Sequence, residues 1–160
     1  MKKLLALALI AGTLPAFAAT TPNSIISAQV PNRGIVQFLQ GTDTAGTYKT
    51  LYTAGTNGSK CFGMWSTNND GSVTHLLTVQ IVNSAVKYGG MSITSVVNAG
   101  FANAAGAQNL MSSTNWPGLP ADGNANPYFN LVSGDTVQAT FATALTASAV
   151  INITATCVDY

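Results

Sequence analysis

The chain contains no glutamate, and charge of either sign is scarce. Six basic residues stand against five aspartates in 160 residues. Beyond Ala18 the cations are Arg33, Lys49, Lys60 and Lys87, which leaves a net charge of −1. So few cations exclude an electrostatic footprint for nucleic acid. There is one histidine, His75, and there are two cysteines, Cys61 and Cys157. A lone histidine with no cysteine or carboxylate at ligand spacing is not a metal motif. His75 is read as a packed or surface imidazole without a visible partner. No G-x-S-x-G occurs, so no nucleophile elbow is available to it. Glycosidase chemistry needs two carboxylates that face each other. Asp43, Asp70, Asp122 and Asp135 instead fall in turn-forming stretches, where aspartate bonds its own backbone. The loop Asp122-Gly123-Asn124-Ala125-Asn126 has one carboxylate and no bidentate glutamate, and departs from a calcium loop. No set of nucleophile, base and oxyanion donors assembles from these residues. The expectation is a protein that is not an enzyme and takes no cofactor or metal.

What the chain has is apolar and small polar residues. Its apolar fraction of 47% argues against a disordered chain. The surface must then be hydrated by Thr, Ser, Asn and Gln, and weak repulsion between copies favours self-association. Residues Met1 to Ala18 have the parts of a secretory signal. Lys2 and Lys3 give a positive start, Leu4 to Leu14 an apolar core too short to span a bilayer, and Ala16-Phe17-Ala18 a cleavage site. The expected organisation is a signal peptide at 1–18 and one domain at 19–160, exported to the periplasm or cell exterior. No membrane span follows the signal. In an oxidising compartment Cys61 and Cys157 suggest one disulfide; in a reducing one they would be small buried hydrophobes.

Alternation with period two runs through the mature chain. Val137, Ala139 and Phe141 alternate with Thr136, Gln138 and Thr140. Ile151, Ile153, Ala155 and Cys157 alternate with Asn152, Thr154 and Thr156. Such spacing puts one set on a buried face and the other towards water. Asp135 to Tyr160 is expected to form a terminal hairpin. Further strands are expected at 25–30, ended by Pro31-Asn32, and at 34–39, 47–53, 60–67, 73–83, 85–88, 91–97 and 128–132. Asn57-Gly58 and Asp70-Gly71 predict two hairpin turns. Residues 104–111 are expected to hold at most one helical turn. Trp116-Pro117-Gly118-Leu119-Pro120 predicts a rigid corner with Trp116 exposed as a candidate partner contact. Tyr48, Tyr52, Trp65, Trp116, Tyr128 and Tyr160 could also form a carbohydrate platform, although core or edge packing is the simpler use of most. The fold class expected is all-β: an antiparallel β-sandwich, Ig-like or jelly-roll-like, of eight or nine strands.

Three phrases carry a resemblance: TYKTLYTAGTNGSK from Thr47, WPGLPADGNANPYFNLVSGD from Trp116, and TALTASAVINITATCVDY at the end. Together they resemble small β-sandwich accessory proteins encoded in the structural modules of tailed phages and prophages, which decorate capsids or tails. The resemblance implies a non-enzymatic protein whose partner is a virion assembly, and it carries over no functional residue. The signal peptide departs from that pattern, because virions assemble in the cytoplasm. A second reading therefore stays open: an exported β-sandwich module that binds a glycan or a cell-surface partner. If the signal is used, the exported protein lacks residues 1–18, and intact-mass measurement will show the chain starting at Ala19. A mass that includes Met1 would refute this.

Overall fold

The computed structural model describes residues 30–96 and 106–160. The signal at 1–18, residues 25–29 of the strand expected over 25–30, and residues 97–105 lie outside the described residues. Nine strands are described: β1 (Val30–Leu39), β2 (Lys49–Thr53), β3 (Ser59–Asn68), β4 (Leu76–Asn83), β5 (Val86–Thr94), β6 (Gln108–Asn109), β7 (Phe129–Leu131), β8 (Asp135–Phe141) and β9 (Val150–Asp159). There is no helix among the described residues. The strands form two antiparallel sheets. One runs β1-β9-β3-β6, with β7 also paired to β3; the other runs β2-β8-β4-β5.

Alternation explains why the two sheets stack. Val137, Ala139 and Phe141 on β8 and Leu77, Val79 and Ile81 on β4 are all buried. Ile151, Ile153, Ala155 and Cys157 on β9 and Val36 and Phe38 on β1 are buried too, and all belong to one core. The Phe38 and Phe141 rings, from opposite sheets, meet with centroids 5.0 Å apart. Each such large apolar side chain contributes about 1.5–3 kcal/mol on burial. β1 and β2 approach so closely that a Cβ at Gly34 would lie 2.0 Å from the Leu51 carbonyl oxygen. Only glycine fits there.

The expected strands largely exist, but their connections differ. β8 and β9 do not form a hairpin: β8 pairs with β2 and β4, and β9 with β1 and β3. The turns at Asn57-Gly58 and Asp70-Gly71 also carry the chain from one sheet to the other. The reason is dimensional. Stacked sheets lie about 10 Å apart, which three or four extended residues at about 3.3 Å each can span. A turn sequence therefore serves a crossing as well as a hairpin. β4–β5 is a two-residue hairpin, with both Ser84 and Ala85 at positive φ. Pro31-Asn32 does not end a strand either. Among the described residues β1 is an edge strand paired only with β9, and an edge tolerates the missing N–H of proline. Gly89-Gly90 lies inside β5, and β4, expected from Val73, starts at Leu76. Of the 104–111 stretch that could hold a helical turn, the described residues 106–111 form none; Gln108–Asn109 pairs with β3 instead.

Cys61 and Cys157 face each other in the β3–β9 ladder and form a disulfide across a sequence separation of 96 residues. Both are fully buried. Closing a loop of that length contributes about 4–5 kcal/mol in the chain-entropy model. The Cys61→Ala/Cys157→Ala variant should therefore unfold at clearly lower denaturant than the oxidised wild type, by about that free energy. An unchanged midpoint would show that the bond adds nothing to stability.

Candidate functional site

His75 is the one histidine of the chain. It is fully buried one residue before β4, and it does have a partner. Its Nε2 lies 3.1 Å from Asp70 Oδ2, and its Nδ1 lies 3.1 Å from the Thr143 carbonyl oxygen. The pair arises because the β3–β4 crossing folds Asp70 inwards instead of leaving it in a surface hairpin. Asp70 also accepts from the backbone N–H groups of Ser72 and Val73 at 3.1 Å and of Thr146 at 3.2 Å. Neither side chain reaches solvent. The arrangement clamps the β3–β4 crossing to the 142–149 crossing.

The other aspartates are also engaged in structure. Asp43 accepts from Leu39 N–H and pairs with Lys49 at 2.6 Å. Asp135 accepts from Asn83 Nδ2 at 2.7 Å, from Val132 N–H at 2.8 Å and from the Tyr88 hydroxyl. Asp159 accepts from Ser59 Oγ at 2.5 Å and from the Tyr52 hydroxyl. That last group ties the end of β9 to β2 and β3. No cluster of three or more His, Cys, Asp or Glu side chains suited to a metal occurs among the described residues.

A more open site lies on β3. The β3 edge is paired twice, by β7 at Ser59–Cys61 and by β6 at Trp65–Ser66. Between them is a cleft of about 590 Å³, lined by residues that include Lys60, Phe62, Trp65, Asn109, Asp122 and Asn126. A β-bulge shapes its floor. The β3–β9 register shifts between Cys61 and Gly63, so Phe62 has no register partner on β9. The bulge turns Phe62 outwards, and it is 45% exposed. A Cβ at Gly63 would touch the Trp65 ring at 3.4 Å, which places the indole directly beside that glycine. The far wall is held by Asp122. Its Oδ1 accepts from Asn124 N–H and Asn126 N–H, each at 2.9 Å. The Lys60 ammonium lies 4.0 Å from the centre of the Tyr128 ring.

Trp116 is not where the sequence suggested. It is only 6% exposed, with its ring 5.2 Å from that of Phe129. The Pro/Gly corner folds the indole onto β7 because that buries more apolar surface than leaving it in water. A partner contact through Trp116 thus loses the exposure on which it rested. Phe62 and the bulge were not foreseen; glycine inside a strand run was the available signal.

No protein family matches the chain, and no curated protein does. Among solved structures the chain is similar to one described as the cyanophage Pam1 capsid asymmetric unit. The identity is 16%, the TM-score 0.42, and the match covers 83% of this chain and 86% of that one. A likeness at that level sets no residue correspondence.

The Asp70 clamp predicts a pH dependence. Burial alone would raise the Asp70 carboxyl, but the Ser72 and Thr146 donors and the His75 ring outweigh it and hold it well below the usual carboxylate range. At Asp135, burial is outweighed by Tyr88, Asn83 and Val132; at Asp159, by Ser59, Tyr52 and Asn32. A depressed folded pKa stabilises fully above the unfolded value of about 3.9 and is lost as pH falls below it. The melting temperature should therefore drop below pH about 4. Asp70→Asn should cost about 2–3 kcal/mol at neutral pH and flatten that drop. A variant with wild-type stability at both pH values would show that the clamp is idle.

Proposed function

We propose that this protein is a non-enzymatic structural or accessory protein that attaches to a virion or cell-surface assembly, and that its sandwich is a jelly roll. The observation that carries this reading is the strand order. β1-β9-β3-β6 opposite β2-β8-β4-β5 is the order obtained by winding a pair of Greek keys around one core. Jelly rolls of this kind build viral capsid and lectin domains. That link runs through architecture, and the surface supplies independent support. Charge is scarce, and β5 is an edge strand paired, among the described residues, with β4 alone. On it Val86 is 65% and Tyr88 52% exposed. Lys87 is the one charged residue of this edge, and an exposed edge with so little charge can still pair with a neighbouring chain. The disulfide fits a protein that matures in an oxidising compartment.

A surface with few charges gives little long-range steering, so attachment should depend weakly on salt. The test is to purify particles and envelopes from producing cells on density gradients and to quantify the chain by mass spectrometry. The expected result is co-migration at a fixed copy number, retained from about 50 to 500 mM salt. Attachment should fall when Val86→Lys adds a second cation, beside Lys87, to the β5 edge. A chain that stays free of both fractions would overturn the proposal.

A further inference from the structure

We propose that the β3 cleft is a binding site for a neutral oligosaccharide. Its floor is aromatic. Trp65 and the bulge-displaced Phe62 sit on the same side of β3, beside a glycine that leaves the strand bare. A pyranose ring presents a face of C–H groups that stacks on such rings, while its rim presents hydroxyls that both donate and accept. The cleft offers matching groups around the aromatics. Asp122 and the amides of Asn109 and Asn126 stand on the walls, and Lys60 on the floor.

These polar groups are held in place before any ligand arrives. Asn109 Oδ1 accepts from Met111 N–H at 2.9 Å. Asp122 Oδ1 accepts from the Asn124 and Asn126 N–H groups and its Oδ2 from the Asn126 amide at 3.3 Å; a carboxylate has about four acceptor positions, so one remains for a hydroxyl. Preorganised donors and acceptors around an apolar floor are the usual composition of a small-ligand site, and about 590 Å³ suits a short glycan. The charge balance narrows the ligand class. One cation, Lys60, and one anion, Asp122, line the cleft. A polyanion would meet the carboxylate, and a polycation the ammonium; an uncharged sugar meets neither penalty. This proposal stands on the cleft alone and does not need the virion reading.

The test is calorimetric titration of the folded, oxidised protein with four neutral oligomers: maltohexaose, cellohexaose, mannohexaose and chitohexaose. At least one is expected to bind. Trp65→Ala should weaken it about tenfold or more, while Trp65→Phe keeps most of the affinity. Asp122→Asn should weaken it by a smaller factor. The two tryptophans of the chain give a second readout. Sugar should change the emission of the wild type but not of Trp65→Phe, in which only the buried Trp116 remains. Unchanged Trp116 emission in the Ala variant confirms that it is folded. Failure of all four sugars to bind, binding indifferent to Trp65→Ala, or tighter binding of an anionic polymer such as heparin would each overturn the proposal.

Discussion

β9 is paired along its whole length on both sides, by β1 from Val30 to Leu39 and by β3 from Ser59 to Asn68. Its inward residues, Ile151, Ile153, Ala155 and Cys157, form a continuous apolar line on one side of the core. Among the described residues neither β1 nor β3 has another full-length partner in that sheet. The sheet therefore cannot close until the last strand of the chain is in place. Long-range pairing of this kind makes folding slow, because loop closure costs entropy before the contacts form. The disulfide sits on this constraint. It links β9 to β3 in the folded ladder and removes much of the freedom that the separated strands would have.

The same closure problem explains the polar groups buried at the ends of the sandwich. Every crossing between sheets leaves backbone N–H groups that no ladder satisfies. Asp70 takes three such groups and the His75 ring at one end. Asp159 gathers Ser59 and Tyr52 where β9 meets β2 and β3, and Asp135 gathers Asn83, Val132 and Tyr88. In a chain with five aspartates, most of its anionic charge is thus committed to sealing corners. Little is left to steer a charged partner. This is why the chemistry of the open surface lies in aromatic rings, amides and bare strand edges.

The cleft is a by-product of the way the β3 edge is covered. Two short strands, β6 and β7, reach it separately, and the segment between them must leave and return. Trp116 anchors that excursion from below by packing on Phe129. The Asp122 loop then stands over the gap, closed by the Ala121–Pro127 bridge. A residue expected at the surface thus supports the site from inside, while Phe62, in the middle of a strand, forms the site's floor.

The sequence by itself determined most of the strands, the faces they bury and the all-β class. Alternation at Val137-Ala139-Phe141 and Ile151-Ile153-Ala155 is local and follows from a side-chain period of two. It also placed Cys61 and Cys157 on strands that an oxidising compartment could join. It could not say which strand lies beside which, because an inward face is equally satisfied by a neighbour in its own sheet or by one across the core. That choice fell to tertiary structure, which sent β8 and β9 to opposite sheets and made crossings of the Asn57-Gly58 and Asp70-Gly71 turns. Tertiary structure also brought Asp70 to His75, buried Trp116 and bulged Phe62 outwards. Each depends on contacts between residues distant in the chain or on a one-residue slip in register, neither of which leaves a local pattern to read.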